Sequence, residues 1–325
     1  MPPASPADPY RAPAWLPGGH AQTLWPLLCK GPRPRLQRER WATPDGDFID
    51  LDWLPHTPGA PLVVLFHGLE GSSNSPYARS LMRHLAAIGW NGVVPHFRGC
   101  SGEPNRQPRA YHAGDADEID WILARLAARH PGAPRFAAGV SLGGNALLVW
   151  LGTRGAAAGQ HIDAAAAICA PLDLAAMGHH LTRGFNQVYT RHFLATLKQS
   201  AIAKLRAHPG LFNPAAVLRA RNLHEFDNLV TAPLHGFQGC DDYWRRASSK
   251  PLLGAVAVPT LVLNPRNDPF MPAGHLPGPA DVSPVVTLEQ PAEGGHVGFV
   301  RGPWPGRIDW LPRRLVRFFT DAGKA

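Results

Sequence analysis

A five-residue motif, Gly139-Val140-Ser141-Leu142-Gly143, constrains the fold more than any other feature of the chain. It stands between a short apolar run, 135–138, and an apolar segment, 145–150, and so predicts a sharp turn from a strand into a helix. Glycines are needed on both sides because the backbone reverses at the serine and the neighbouring segments approach closely. The serine hydroxyl is then exposed as a nucleophile, with a helix N-terminus directed at it. Taken alone, in a chain with 33 glycines, the motif also fits an ordinary glycine-rich turn.

A second strand is predicted to end beside this serine. The apolar run 61–66 stops abruptly at His67-Gly68, and the next backbone N–H belongs to Leu69. Together with the N–H of Leu142, the Leu69 N–H provides two donors for an oxyanion. A plain loop into the following helix is the other interpretation, because residues 74–76 also predict a helix start. The two interpretations are compatible.

The general acid and base are expected after the nucleophile, in the order serine, acid, histidine. Asp268 follows a predicted strand at 259–264, and His296 follows the next predicted strand, 285–288, in a glycine-rich loop. In these roles His296 takes the serine proton, and Asp268 fixes the imidazole tautomer and stabilises the imidazolium. Three other acids are alternatives to Asp268: Asp173, Asp241 and Asp242. Asp173 is the most serious alternative, because it follows the preceding predicted strand.

Four segments together, 66–77, 97–103, 139–145 and 267–270, resemble the YheT-type branch of the α/β-hydrolases. That group also includes eukaryotic abhydrolase-domain lipases and yeast ester-forming acyltransferases. The similarity extends from about Pro17 to the final helix. It implies a serine hydrolase acting on carboxylic esters, with a triad and an oxyanion hole at the following positions: Ser141, Asp268, His296, Leu69 and Leu142. The main local departure is His96, where a small polar residue such as Asn is expected.

Alternating strand and helix signals predict one α/β domain over residues 1–325, with a doubly wound, mostly parallel sheet. The core is expected at about 20–172 and 236–325, with crossover-helix spacing at 115–130. The alternation breaks at about 173–235, which predicts an inserted helical cap. Three aromatic residues of this cap are candidates for substrate binding, although such a stripe more often packs within the cap itself: Phe185, Tyr189 and Phe193.

The composition of the chain indicates which cofactors, partners and cellular compartment to expect. The four cysteines are far apart in sequence, which argues against a zinc site and a disulfide framework, so we expect no metal or other cofactor and a reducing compartment. Residues 1–10 carry no signal-peptide pattern, and a cytoplasmic location follows as a prediction. The net charge of +8 comes with no nucleic-acid motif. The basic runs 33–40 and 313–317 are expected to be solvated, with weak contact to anionic lipid as the alternative.

The predicted activity is hydrolysis of carboxylic esters, of the carboxylesterase or lipase type, through an acyl-enzyme at Ser141. The substrate is expected to be a small-molecule or lipid ester. One alternative is acyl transfer to an alcohol, which shares the first half-reaction. The other is a non-catalytic binding protein that has retained a hydrolase fold. The sequence leaves the acyl-chain length, the natural alcohol and the oligomeric state open.

Overall fold

The computed structural model describes residues 9–29 and 31–323. The prediction that residues 1–10 carry no signal peptide concerns a segment of which only residues 9 and 10 are described. Within the described ranges, eight strands form one sheet in the order β1-β2-β4-β3-β5-β6-β7-β8. Their bounds are Gln37–Ala42 (β1), Phe48–Trp53 (β2), Leu62–Phe66 (β3), Asn91–Pro95 (β4), Arg135–Val140 (β5), Ala164–Ile168 (β6), Thr260–Leu263 (β7) and Val286–Glu289 (β8).

The sheet is mostly parallel. Only β2 runs antiparallel to its neighbours β1 and β4, and every pairing from β4 through β3, β5, β6 and β7 to β8 is parallel. The carboxyl ends of these strands therefore meet at one edge, where ligands bind in open α/β sheets. Strands β3, β6 and β7 are buried throughout, and β5 is buried except at Arg135, as expected for parallel strands covered on both faces.

Helices cover both faces of the sheet, so the doubly wound arrangement is confirmed. Helices α3 and α4 pack on one face through residues such as Ile119 and Leu147, and α2 and α11 pack on the other through residues such as Leu81 and Phe319. The α-helices outside the segment between β6 and β7 are Gly19–Leu24 (α1), Pro76–Ala87 (α2), Ala116–Arg129 (α3), Leu142–Arg154 (α4) and Trp310–Ala322 (α11).

The chain between β6 and β7 is a succession of helices with its own apolar cluster. The sequence predicts this region at 173–235, but its helices and its cluster continue to Ala247 because Tyr243 and Trp244 pack into the same cluster. A π-helical turn, Asp227–Thr231, interrupts it. The α-helices are Leu174–His180 (α5), Gln187–Ala207 (α6), Pro214–Arg219 (α7), Leu223–Phe226 (α8), Ala232–Leu234 (α9) and Cys240–Ala247 (α10).

Among the described residues, none of the helices has the length and apolar character needed to cross a bilayer.

Candidate active site

Ser141 lies where the chain reverses between β5 and α4, with φ 53° and ψ −122°. This left-handed backbone is strained for a residue with a side chain, and such strain is typical of a nucleophile at a strand-to-helix turn. The reversal brings backbones into contact. A Cβ at Gly139 would overlap the carbonyl of Gly143, and a Cβ at Gly143 would overlap the carbonyl of His67. The predicted need for glycine on both sides of the serine is confirmed.

Ser141, His296 and Asp268 form a hydrogen-bonded chain. The Ser141 hydroxyl lies 3.0 Å from His296 Nε2, and His296 Nδ1 lies 2.8 Å from Asp268 Oδ2. Asp268 follows β7 and is buried, and its second oxygen accepts the N–H of Phe270 at 2.8 Å. The buried carboxylate selects the tautomer with the proton on Nδ1, so that Nε2 is free to accept the serine proton. The arrangement has the geometry of a nucleophile, a base and an orienting acid.

The other three candidate acids form their hydrogen bonds and ion pairs away from His296. Asp173 caps α5 by accepting the N–H of Ala176, and its other oxygen lies 3.2 Å from His275 Nδ1. Asp241 lies 3.0 Å from His224 Nε2, and Asp242 pairs with Arg245 and Arg246 of its own helix. Of the four candidate acids, the structure brings only Asp268 to the nucleophile's histidine.

The loop after β3 places Leu69 beside the nucleophile. A Cβ at Gly68 would lie 3.2 Å from the Cβ of Ser141, so the two turns are in direct contact. The N–H groups on either side of Leu69 donate to tyrosine hydroxyls, Gly68 to Tyr77 and Glu70 to Tyr111, each at 2.8 Å. Leu142 is the first residue of α4, so its N–H lacks a partner within the helix. Leu69 and Leu142 both line the cavity at Ser141.

A buried histidine, His67, forms a hydrogen bond with the loop after β3. His67 is completely buried, its Nδ1 lies 2.8 Å from the Gly68 carbonyl, and its Nε2 accepts the N–H of Phe97 at 3.1 Å. Burial lowers the pKa of His67 to about 3, so the ring is neutral and donates through Nδ1. The unexpected His96 lies next to it and pairs with Asp52 at 2.8 Å. His96 is therefore part of the packing beneath the loop.

The N-terminal helix holds the histidine loop, a role that the sequence analysis did not assign. Thr23 accepts the N–H of His296 at 2.8 Å, and Gln22 accepts the N–H of Gly294 at 2.9 Å. Asn267 donates to Gln22 and accepts the N–H of Gly295, each at 2.9 Å. Asn267 belongs to the segment 267–270, and Gln22 and Thr23 lie in the region of similarity that begins at about Pro17, but only the fold shows what they bind.

Strained backbone is concentrated around the site. Among the described residues, the non-glycine residues with positive φ all belong to loops that touch the triad or the oxyanion turn: Glu70, Ser141, Cys169, Val297 and Phe299. Left-handed backbone at such residues is uncommon and costs free energy, so it persists where the surrounding structure holds it in place. The clustering coincides with the edge of the sheet that carries Ser141, Asp268 and His296.

A cavity of about 420 Å³ opens onto Ser141 and His296. Its walls are mostly apolar and come largely from the segment between β6 and β7, including the following side chains: Met177, Phe193, Phe226, Val230 and Trp244. Three residues with carboxyl groups also line it: Glu70, Glu103 and Asp227. Burial raises the pKa of Asp227 to about 6, and the side chain accepts hydrogen bonds from Thr231 and Trp244.

Only one of the three aromatic candidates for substrate binding lines the cavity. Phe193 does so, whereas Phe185 is 52% exposed at the surface. Tyr189 is buried behind the triad: its ring packs on Phe270, whose own ring stacks on His296 with the centroids 4.0 Å apart. Phe185 does not share a helical face with Tyr189 and Phe193, because it lies in a separate 3₁₀ turn, Gly184–Asn186, before α6.

One set of potential metal ligands lies within the site. Among the described residues, Cys169, Asp268 and His296 are the one group of three whose ligand atoms approach one another, all within 4.8 Å.

A family model for the α/β hydrolase fold matches residues 61–303. The Escherichia coli (strain K12) protein YheT, which is named as an esterase, is 42% identical over 309 residues, 93% of this chain and 90% of that protein. The chain belongs to the α/β-hydrolase family. Its similarity to YheT confirms the branch of α/β-hydrolases predicted from the motifs.

A second relative, the Mus musculus protein named phospholipase ABHD3, is 31% identical over 95% of this chain and 77% of that protein. The solved Pyrococcus furiosus esterase Pf2001 superposes with a TM-score of 0.56 over 88% of this chain and 92% of its own; at 13% identity it shows the fold alone. With these relatives, the prediction of a carboxylic ester hydrolase is confirmed at the level of enzyme class.

Proposed function

We propose that this chain hydrolyses carboxylic esters through an acyl-enzyme formed at Ser141. The observation that carries the proposal is the hydrogen-bonded chain from Ser141 through His296 to Asp268, at the mouth of an apolar cavity. Each residue comes from a different strand end, so the arrangement depends on the whole sheet and is not a local coincidence. The agreement with relatives named as an esterase and a phospholipase supports the same chemistry.

His296 moves the proton in both half-reactions. It accepts the Ser141 proton as the hydroxyl attacks the ester carbonyl, and it then donates that proton to the departing alcohol. A water molecule activated by the same ring nitrogen releases the acid from Ser141. Asp268 stabilises the imidazolium in each step. The N–H groups of Leu69 and Leu142 bind the oxyanion, and their fixed positions avoid a reorganisation cost during the reaction.

The cavity supplies the acyl-binding region in this proposal, and the helices at 173–235 act as a cap over it. An acyl chain in contact with Met177, Phe193 and Phe226 gains about 0.8 kcal/mol for each buried methylene. A small-molecule or lipid ester fits such a pocket. The predicted cytoplasmic location and the weak contact with anionic lipid are predictions that neither the site nor the cavity addresses.

Labelling with a fluorophosphonate, followed by assay of Ser141→Ala, tests the proposal. The wild-type protein should be labelled at Ser141, and the variant should lose roughly six orders of magnitude in kcat because the triad acts as a unit. Release of acid from p-nitrophenyl esters of graded chain length is the measurement. An unlabelled wild-type protein, or a variant that retains a few per cent of the activity while free of contaminating esterase, contradicts the assignment.

The same assay separates hydrolysis from acyl transfer. Both reactions pass through the acyl-enzyme, so the ratio of free acid to new ester must be measured with and without an added alcohol. Free acid as the main product in both conditions supports hydrolysis. A new ester as the main product favours the alternative of acyl transfer.

A further inference from the structure

Cys169 lies directly behind the triad, although nothing in the proposed reaction uses it. It directly follows β6, is buried, and has a left-handed backbone with φ 51°. Its sulfur accepts the N–H of Val297, the residue after His296, at 3.2 Å. Cys169 and His296 both line the active-site cavity, so an ion in the cavity lies close to both residues.

The three side chains form a compact set of unlike donors. Cys169 Sγ, a carboxylate oxygen of Asp268 and a ring nitrogen of His296 all lie within 4.8 Å of one another. Thiolate, imidazole and carboxylate are the groups that bind zinc in proteins, at about 2.0 to 2.3 Å. Ligands at those distances in a tetrahedral site are separated by roughly 3.3 to 3.7 Å, so the atoms need to move by about 1 Å. The wide spacing of cysteines in the sequence argued against zinc, but this set takes one cysteine only.

We propose that Cys169, Asp268 and His296 form a reversible binding site for a soft divalent cation such as Zn²⁺, and that its occupancy switches the enzyme off. The metal contacts His296 through Nδ1, the ring nitrogen that faces Asp268. Water from the cavity fills the remaining coordination position. Thiolate ligands select Zn²⁺ or Cd²⁺ over Mg²⁺ and Ca²⁺, which prefer oxygen.

The inhibition follows from the tautomer of the histidine and rests on the proposed function. In the active form the neutral ring carries its proton on Nδ1 and accepts the serine proton at Nε2. A metal bound at Nδ1 takes that lone pair, so the ring proton moves to Nε2. Ser141 then faces an N–H donor and has no base. Asp268, which would stabilise the imidazolium, is bound to the metal as well.

Binding releases one proton. The metal forms bonds to Sγ, Nδ1 and a carboxylate oxygen; the S–H bond breaks and its proton goes to solvent, while the ring proton only changes nitrogen. Burial and the nearby charge of Asp268 raise the pKa of the Cys169 thiol well above its ordinary value, so the thiol keeps its proton in the metal-free protein. It is therefore a poor nucleophile on its own. The apparent affinity for metal should increase about tenfold per pH unit.

A cadmium titration tests the site without relying on turnover. Cd²⁺ is added to Ser141→Ala protein, and the ultraviolet charge-transfer band of the cadmium–thiolate bond is recorded. One equivalent should saturate the band, and Cys169→Ala in the same background should abolish it. In the matched control, Cys29, Cys100 and Cys240 are replaced by Ala and Cys169 is kept, and the band should remain. This control keeps the test valid if Cys169→Ala does not fold. A band that survives Cys169→Ala, or is missing in the control, overturns the proposal.

A zinc inhibition assay then tests the switch in wild-type protein. Ester hydrolysis should fall to background as Zn²⁺ is added and recover with a chelator. The Zn²⁺ concentration for half inhibition should increase at least about tenfold in Cys169→Ser, as expected for a weakened ligand set. Each protein is compared with its own metal-free rate, and Cys240→Ala is the matched control. Hydrolysis that continues with the cadmium site saturated overturns the inhibitory role. An inactive metal-free enzyme with a normal cadmium band would instead contradict the proposed function.

Discussion

Two regions border the cavity: the strand ends that carry Ser141, Asp268 and His296, and the helices between β6 and β7. In the first region, backbones touch backbones. The carbonyls of Phe66 and His67 leave no room for a Cβ at Gly143. In the second region, side chains pack against side chains, and several apolar residues, such as Leu218, remain exposed.

The two regions differ in how strictly the fold limits the residue type at each position. A backbone contact accepts only glycine, and a buried proton relay accepts only groups that hold the required proton, so the first region leaves a recognisable motif. A packed helical layer needs a total volume and an apolar pattern that many sequences satisfy. The helices can therefore change the shape of the cavity while the chemistry at the strand ends stays the same.

We expect two acids, one from each region, to differ strongly in their effect on kcat. Asp268→Asn should lower kcat for ester hydrolysis by about four orders of magnitude, because the amide selects the wrong histidine tautomer. Asp173→Asn should leave kcat nearly unchanged, because asparagine caps a helix about as well as aspartate does. Both are measured as kcat on one p-nitrophenyl ester, with thermal unfolding to show that each variant folds.

The reverse result would contradict the assignment of Asp268 as the acid. A variant at Asp173 that loses activity, beside an active Asp268→Asn, would place the acid at the start of the helical segment. The polar contacts of Asp268 with His296 and Phe270 would then be structural only.

The second effect is on stability and has opposite signs in the two regions. His67, with its pKa lowered to about 3, contributes stability that is present above about pH 6.5 and is lost as the pH falls toward 3. Between pH 6.5 and 5 the loss is about 2 kcal/mol. Asp227, with its pKa raised to about 6, contributes stability that is present below about pH 4 and is lost as the pH rises through 6, about 1 kcal/mol in the same window.

Denaturant unfolding at pH 5 and pH 6.5 measures both contributions. His67→Gln should reduce the parental loss of stability toward pH 5, because its amide can donate and accept without titrating. Asp227→Asn should make that loss larger, because the opposing carboxyl is gone. Variants that shift the pH dependence in the same direction would show that one of the two side chains is not buried as described.

The sequence predicted where the candidate nucleophile, acid and histidine of the first region lie along the chain, and it predicted the second region only in outline. The elbow, the acid and the histidine follow strands whose apolar runs are unmistakable, so their order along the chain was sufficient. The hydrogen bond from the His296 N–H to Thr23 spans 273 residues, and no local pattern specifies such a contact. Cys169 was counted only as an isolated cysteine, because its neighbours Asp268 and His296 come from later strands.

The helical segment was predicted as a cap but with the wrong aromatic grouping. Helical spacing places Phe185 and Tyr189 with Phe193 only if one helix carries all three. The chain instead begins α6 at Gln187, after a separate turn. The direction of the Tyr189 ring depends on its packing against Phe270. Helical periodicity does not predict this contact.

A milder change is expected in the preference for the chain length of the ester. Phe193→Ala enlarges the cavity, so longer p-nitrophenyl esters should gain about fourfold in kcat/KM for each extra methylene that the new space accepts. Phe185→Ala is the matched control and should keep the parental profile, because its ring is 52% exposed. Fluorophosphonate labelling of Ser141 should persist in both. A shifted profile in Phe185→Ala with an unchanged one in Phe193→Ala would mean that the acyl chain lies along the outer face of the helices, and the apolar cavity would lose its place in the mechanism.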